Sequence, residues 1–214
     1  MSAALRDPGV QYAYSLPKLP PRVTEEEYEA ILEKSVEKLE FRNGQIVMMA
    51  GGTDTHSLVK GNLIRQLGNA LSKRPCRVYD SDMKVKVEAS GLNTFPDASI
   101  VCGQPKFNSD KRITLLNPGA IFEVLSEGTE AYDRGEKFWN YRHIPSLKTF
   151  VLISTAQARV EVFELGTDDQ WLLTTFDGFD ATMRLKHYDI EVPLAALYEK
   201  TDLDPATPPD GEQE

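Results

Sequence analysis

At 214 residues, with 41% hydrophobic and 27% charged side chains, the chain can bury a substantial core and is most simply one domain. No apolar run approaches the ~20 residues of a membrane span. The start, Met1-Ser2-Ala3-Ala4-Leu5-Arg6-Asp7-Pro8, lacks the apolar segment of a secretory signal, so a cytoplasmic protein with no membrane partner is expected.

The formal net charge of −9 argues against a general polyanion binder, because affinity for nucleic acid comes largely from Lys and Arg displacing counterions. Between residues 60 and 86, however, seven bases face two acids, while seven Glu face two Lys over 25–40. On charge alone the basic stretch reads as a solvated face rather than a nucleic-acid patch.

Residues 1–23 are proline-rich and read as an extended arm. Thr24-Glu25-Glu26-Glu27 has the form of a capping box and opens a helix through about Lys34. Phe41-Arg42 and Gln45 to Met49 flank Asn43-Gly44, the dipeptide best suited to a tight type I′ hairpin turn. After Ala50-Gly51-Gly52, the residues Val59, Leu63, Leu67, Ala70 and Leu71 recur at helical spacing, which predicts a helix over 56–73 with one face on a sheet. Strands are predicted over 76–79, 82–88 and 97–102, and a more apolar one over 120–125, as befits a central strand covered on both faces. A helix over 133–143 follows, then strands near 149–153, 159–163, 171–176 and 182–185. The domain thus spans 24–200, with a disordered tail over 201–214. The fold class is α/β, a mixed sheet flanked by helices. Cys76 and Cys102 lie far apart with no metal-binding cluster around them and read as reduced, structural thiols.

Chemistry is suggested by two carboxylates inside apolar strands: Asp97 in Phe95-Pro96-Asp97-Ala98-Ser99-Ile100-Val101 and Glu123 in Ala120-Ile121-Phe122-Glu123-Val124-Leu125. Burying such ions costs several kcal/mol or more, so they call for a shared cation, a basic partner or a raised pKa. Mg²⁺ (or Mn²⁺) suits the first solution, because it takes oxygen ligands from one or two carboxylates and completes its shell with waters and substrate phosphate. Lys137, on the following helix, could orient the attacking water or neutralise developing charge. Asp133 and Tyr141 flank it at four-residue spacing and could fix its position. Each residue also has a plainer reading. Asp97 after Pro96 can be a strand-entry turn residue, Glu123 can pair with a structural Arg, and a lone helical Lys is usually solvated. Tyr141 and Trp139 read as core or rim aromatics, and His56 as a cap or packing residue.

Several segments together resemble the Uma-two family of putative restriction endonucleases. They are Lys38-Leu39-Glu40-Phe41-Arg42-Asn43-Gly44, the Gly-Gly-Thr-Asp-Thr-His run ending at His56, Ser81-Asp82, Pro96-Asp97, Glu123-Val124-Leu125-Ser126 and Tyr132-Asp133-Arg134-Gly135-Glu136-Lys137-Phe138. The resemblance spans roughly 24–199 and implies a core of the PD-(D/E)XK nuclease superfamily, a mixed sheet with helices on both faces. It implies Asp97 and Glu123 as metal ligands, Glu40 as an additional acid, and His56 and Asp82 as companions, to which the spacing argument adds Tyr141 as a supporting residue. One departure stands out. The superfamily pattern expects Lys two positions after the second acid, where this chain has Leu125. Lys137 fits the vacated role, with Lys84 and Lys86 as rivals.

Three readings follow: a Mg²⁺-dependent DNA endonuclease, a catalytically silent relative used as a binding or regulatory module, and a metal-free hydrolase using two carboxylates as acid and base. A homodimer is expected, since nucleases that cut both strands commonly pair two sites about a two-fold axis.

Overall fold

A computed structural model of the chain describes residues 22–49 and 51–206. All but Arg22 and Val23 of the expected N-terminal arm, and the expected tail from 207 onward, lie outside the described residues. Thr201, where that tail was to begin, is buried and donates its hydroxyl to the Tyr198 carbonyl.

The fold is mixed α/β, built on a six-stranded sheet ordered β11-β10-β9-β8-β6-β3. Its strands are β3 (Cys76–Asp80), β6 (Ala98–Cys102), β8 (Ala120–Val124), β9 (Thr149–Ile153), β10 (Arg159–Leu165) and β11 (Trp171–Asp177). β8 and β9 run parallel, and the remaining pairs are antiparallel. β8 is buried at every position, Glu123 included, whereas β10 alternates buried and half-buried residues.

Helix α2 (Asp54–Leu71) lays Val59, Leu63, Leu67 and Leu71 against one face of this sheet, on Ala98, Ile100, Ala120 and Phe122. Burying each such aliphatic side chain contributes roughly 1.5–3 kcal/mol. The opposite face carries Val101, Ile121, Leu125, Phe150 and Leu152. These pack on Tyr141, Ile144 and Leu147 and on residues of a second sheet, ordered β2-β1-β5-β4-β7. That sheet comprises β1 (Leu39–Arg42), β2 (Gln45–Met48), β4 (Lys84–Val87), β5 (Leu92–Thr94) and β7 (Thr114–Leu115). Its hairpin turns at Asn43 and Gly44, both with positive φ, as the type I′ geometry requires. Helix α1 (Glu25–Leu32) begins with the complete capping box at Thr24 and Glu27.

Among the described residues, β5, β7, β13 (Ile190–Pro193), the short α5 (Leu194–Leu197) and the 3₁₀ turns Thr167–Asp169 and Lys186–Tyr188 have no counterpart in the sequence reading. β12 (Thr182–Leu185) pairs with β13 alone, as a separate ribbon. The predicted helix over 133–143 is interrupted. A turn of α-helix, α3 (Glu130–Tyr132), passes into a π-helical turn over Asp133–Lys137 before α4 (Phe138–Tyr141). The thiols are also not reduced as expected. Cys76 and Cys102 face each other in the β3–β6 register and form a disulfide. Their separation of 26 residues hides a pairing that only the strand register creates.

Candidate active site

Asp97 immediately precedes β6. The antiparallel register Ala98↔Phe122, extended by one residue, sets it opposite Glu123, so the two carboxylates emerge on the same face of the sheet. Asp97 Oδ2 accepts from the Val124 amide at 2.8 Å, which ties the pair of strands together at this point. Both acids line a pocket of about 610 Å³ that also includes Glu40, His56, Lys60, Asp133 and Lys137.

The second sheet and the π-helical turn complete the floor. Lys137 Nζ lies 3.1 Å from Glu123 Oε1, 3.0 Å from Asp133 Oδ1 and 3.5 Å from Glu40 Oε1. Tyr141 donates its hydroxyl to Glu123 at 2.8 Å, and Thr94 donates to Glu40. Glu40, Glu123, Asp133 and Lys137 are each no more than 4% exposed. Of the two residues spaced four from Lys137, Asp133 contacts the ammonium, whereas Tyr141 contacts Glu123 rather than Lys137 itself.

The electrostatics of the two strand acids diverge. Burial pushes Glu123 up to about 8, with the charges of Asp133 and Asp97 adding to the rise and Lys137 and the Tyr141 hydroxyl opposing it. Burial also pushes Asp97 up, but His56, the Val124 amide and Lys60 outweigh it and hold the carboxyl below its usual range. His56 Nε2 stands 3.4 Å from Asp97 Oδ2 and Lys60 Nζ 3.9 Å from Oδ1. Burial opposes charge on Lys137, yet Glu123, Asp133 and Glu40 prevail and raise its pKa well above the usual value, so it is an ammonium.

His56 reaches Asp97 because Thr53 caps α2, accepting from the His56 amide at 3.2 Å, and because Gly52 leaves room for the ring. A Cβ on Gly52 would meet the imidazole Nδ1 at 2.5 Å. Lys60, one helical turn beyond His56, was missed by the sequence reading although its i,i+4 spacing places it on the same face. Asp133 was noted only as a neighbour of Lys137, yet it joins the acids of the floor.

Three predicted residues are not brought together with the acids. Asp82 is 81% exposed and pairs with Lys38 at 2.7 Å on the rim. Lys84 and Lys86 pair with Glu29 and Glu25 of α1, which removes both rivals to Lys137 from the pocket. Tyr141 is core, fully buried against Phe150, and Trp139 is a rim aromatic, half exposed beside His143.

Adjacent strands of the mixed sheet thus deliver an aspartate and a glutamate to one face. The chain belongs to the Uma2 family, described as "Putative restriction endonuclease", whose model matches residues 25–192. Two Synechocystis proteins, the uncharacterized slr1290 and sll1609, are each 33% identical to it, over 83% and 78% of this chain and 92% and 95% of their own. The fold matches the crystal structure of a "putative nuclease belonging to DUF820" from Anabaena variabilis with a TM-score of 0.65 at 16% identity, covering 78% of this chain and 94% of that one.

Proposed function

We propose that the protein is a Mg²⁺-dependent endonuclease (Mn²⁺ serving equally) that hydrolyses DNA phosphodiester bonds, with Asp97 and Glu123 as metal ligands and Lys137 as the catalytic ammonium. The observation that carries this reading is the convergence of Asp97 and Glu123 on one face, with Lys137 3.1 Å from Glu123. Among the described residues no group of three or more His, Cys, Asp or Glu forms a ready metal site. Mg²⁺ takes one or two carboxylates and otherwise water and phosphate oxygens, so Asp97 and Glu123 are the donors proposed for it. The donor set fits on charge as well. Glu40, Glu123 and Asp133 surround a single ammonium, and the charges of Asp133 and Asp97 add to the burial that pushes Glu123 up to about 8.

Asp97, kept ionised by His56 and Lys60, and Glu123, oriented by Tyr141, would hold the ion. Once bound, it supplies charge stabilisation at the scissile phosphate and lowers the pKa of its water. Lys137 stands where it can steady an attacking water or the charge that develops on phosphorus oxygens. Glu40 and Asp133 keep that ammonium protonated and in place.

Purified protein is expected to cut plasmid DNA with Mg²⁺ and to lose that activity with chelator, while Asp97→Asn, Glu123→Gln and Lys137→Ala each abolish it. Retained activity in those variants refutes the assignment, and activity that survives chelation favours a metal-free two-carboxylate hydrolase. A silent binding module is the second reading, favoured by the fact that Lys137 already neutralises part of the acid cluster. Calorimetric titration with Mg²⁺ separates the two, since a silent protein without the site gives no binding heat. A homodimer, which would present two such sites, is part of the proposal and is read by sedimentation.

A further inference from the structure

We infer that the substrate segment entering this site is single-stranded DNA, with an unpaired base resting on an apolar wall made by Val36 and Met48; the inference rests on the nuclease reading above. Both residues line the same pocket as Asp97 and Glu123, with Phe95 buried beneath the Lys38 ammonium. Val36 is 97% exposed and Met48 65% exposed, and both stand at the mouth of a charged site. They lie on adjoining stretches of chain, because the Met49 amide donates to the Lys38 carbonyl and Leu39 pairs with Met48. A base gains apolar contact on such a wall, and apolar contact, being non-directional, is indifferent to base identity.

Depth and charge point the same way. Glu40, Glu123, Asp133 and Lys137 are almost wholly buried at the pocket floor and the Asp97 side chain is 14% exposed above them, so a phosphodiester must descend to them. A single strand can bend its backbone into the pocket, whereas a duplex is stiff over tens of nanometres and carries its paired bases with it. Among the described residues the bases along the pocket besides Lys137 are Lys38, Arg42 and Lys60, with His56 beside Asp97. Lys38 is partly neutralised by Asp82 and Arg42 by Glu136, 3.6 Å away. Three bases match two or three phosphates of one strand, not the six to ten contacts of an extended duplex footprint. Phosphates on those bases, the base on the apolar wall and the scissile group at the floor make one consistent path.

The test is single-turnover cleavage, with Mg²⁺, of an end-labelled single-stranded DNA oligonucleotide, its duplex and the single-stranded RNA of the same sequence. The single-stranded DNA is expected to be cut at least about tenfold faster than the duplex. Val36→Ser and Met48→Ser are expected to raise KM for it by roughly 5–20-fold, with a smaller effect on kcat. Both side chains are exposed, and thermal melts of the variants check that the fold is retained. Duplex or RNA cut as fast or faster, or KM unmoved by both substitutions, overturns this inference and leaves the nuclease reading standing. No cleavage of any of the three overturns both.

Discussion

Glu123 and Asp97 face each other across two strands, yet their environments drive their acidities apart, and the consequence is a measurable pH signature. In metal-free protein the folded state keeps a proton on Glu123 up to about 8, while the unfolded chain releases it near the ordinary value of 4.5. The folded state therefore binds the extra proton, and stability falls as pH rises through this window, by at most about 1.4 kcal/mol per unit. Lys137 remains charged throughout it, and Asp97 titrates below it, so neither reverses the sign. Urea unfolding between pH 5 and 8 should show this decline, and Glu123→Gln should remove it. Mg²⁺ at a hundred times its Kd should add about 2.7 kcal/mol, and more at pH 8 than at pH 6 because it competes with the proton. Glu123 and Asp97 were legible in the sequence because charge inside apolar strands is costly and demands a reason. Lys38, Arg42 and Lys60 were not, since an isolated base looks like any solvated side chain until the fold gathers it.

The basic strand β4 explains why the chain's acidic and basic stretches lie where they do. Glu25, Glu29 and Glu33 recur every four residues along α1 and beyond it, and they pair with Lys86, Lys84 and Lys111. Lys84 is 2% exposed, so Glu29→Gln would leave a buried ammonium uncompensated and cost roughly 3 kcal/mol. Glu33→Gln, at a fully exposed pair, should leave the melting temperature unchanged. Equal effects of the two substitutions would contradict this docking. α1, the hairpin, α2 and the strands of the large sheet were readable from caps, turn dipeptides and periodicity. β5 and β7 were not, because two or three residues carry no period, and the π-helical turn has no composition signal of its own. The Cys76–Cys102 disulfide was invisible for a related reason: it is a property of register, not of spacing.

Across the whole molecule, the net charge of −9 and the small set of bases at the pocket set the scale of any electrostatic attraction to DNA. With about three phosphates neutralised, the logarithm of affinity for a single strand should fall with the logarithm of salt at a slope of about −2. A slope of −6 or steeper, measured by anisotropy with Glu123→Gln, would mean a far larger footprint than this pocket supplies. The mixed-sheet class was legible because apolar strands alternate with amphipathic helices. The division into two sheets and a separate ribbon was not, since it depends on long-range pairing. The central claim is that Asp97 and Glu123 share a divalent ion beside Lys137. It is tested most directly by soaking crystals in Mn²⁺ and calculating an anomalous difference map. A peak between the two carboxylates is predicted; no peak there at saturating Mn²⁺, with Lys137 still seated among Glu40, Glu123 and Asp133, would contradict it.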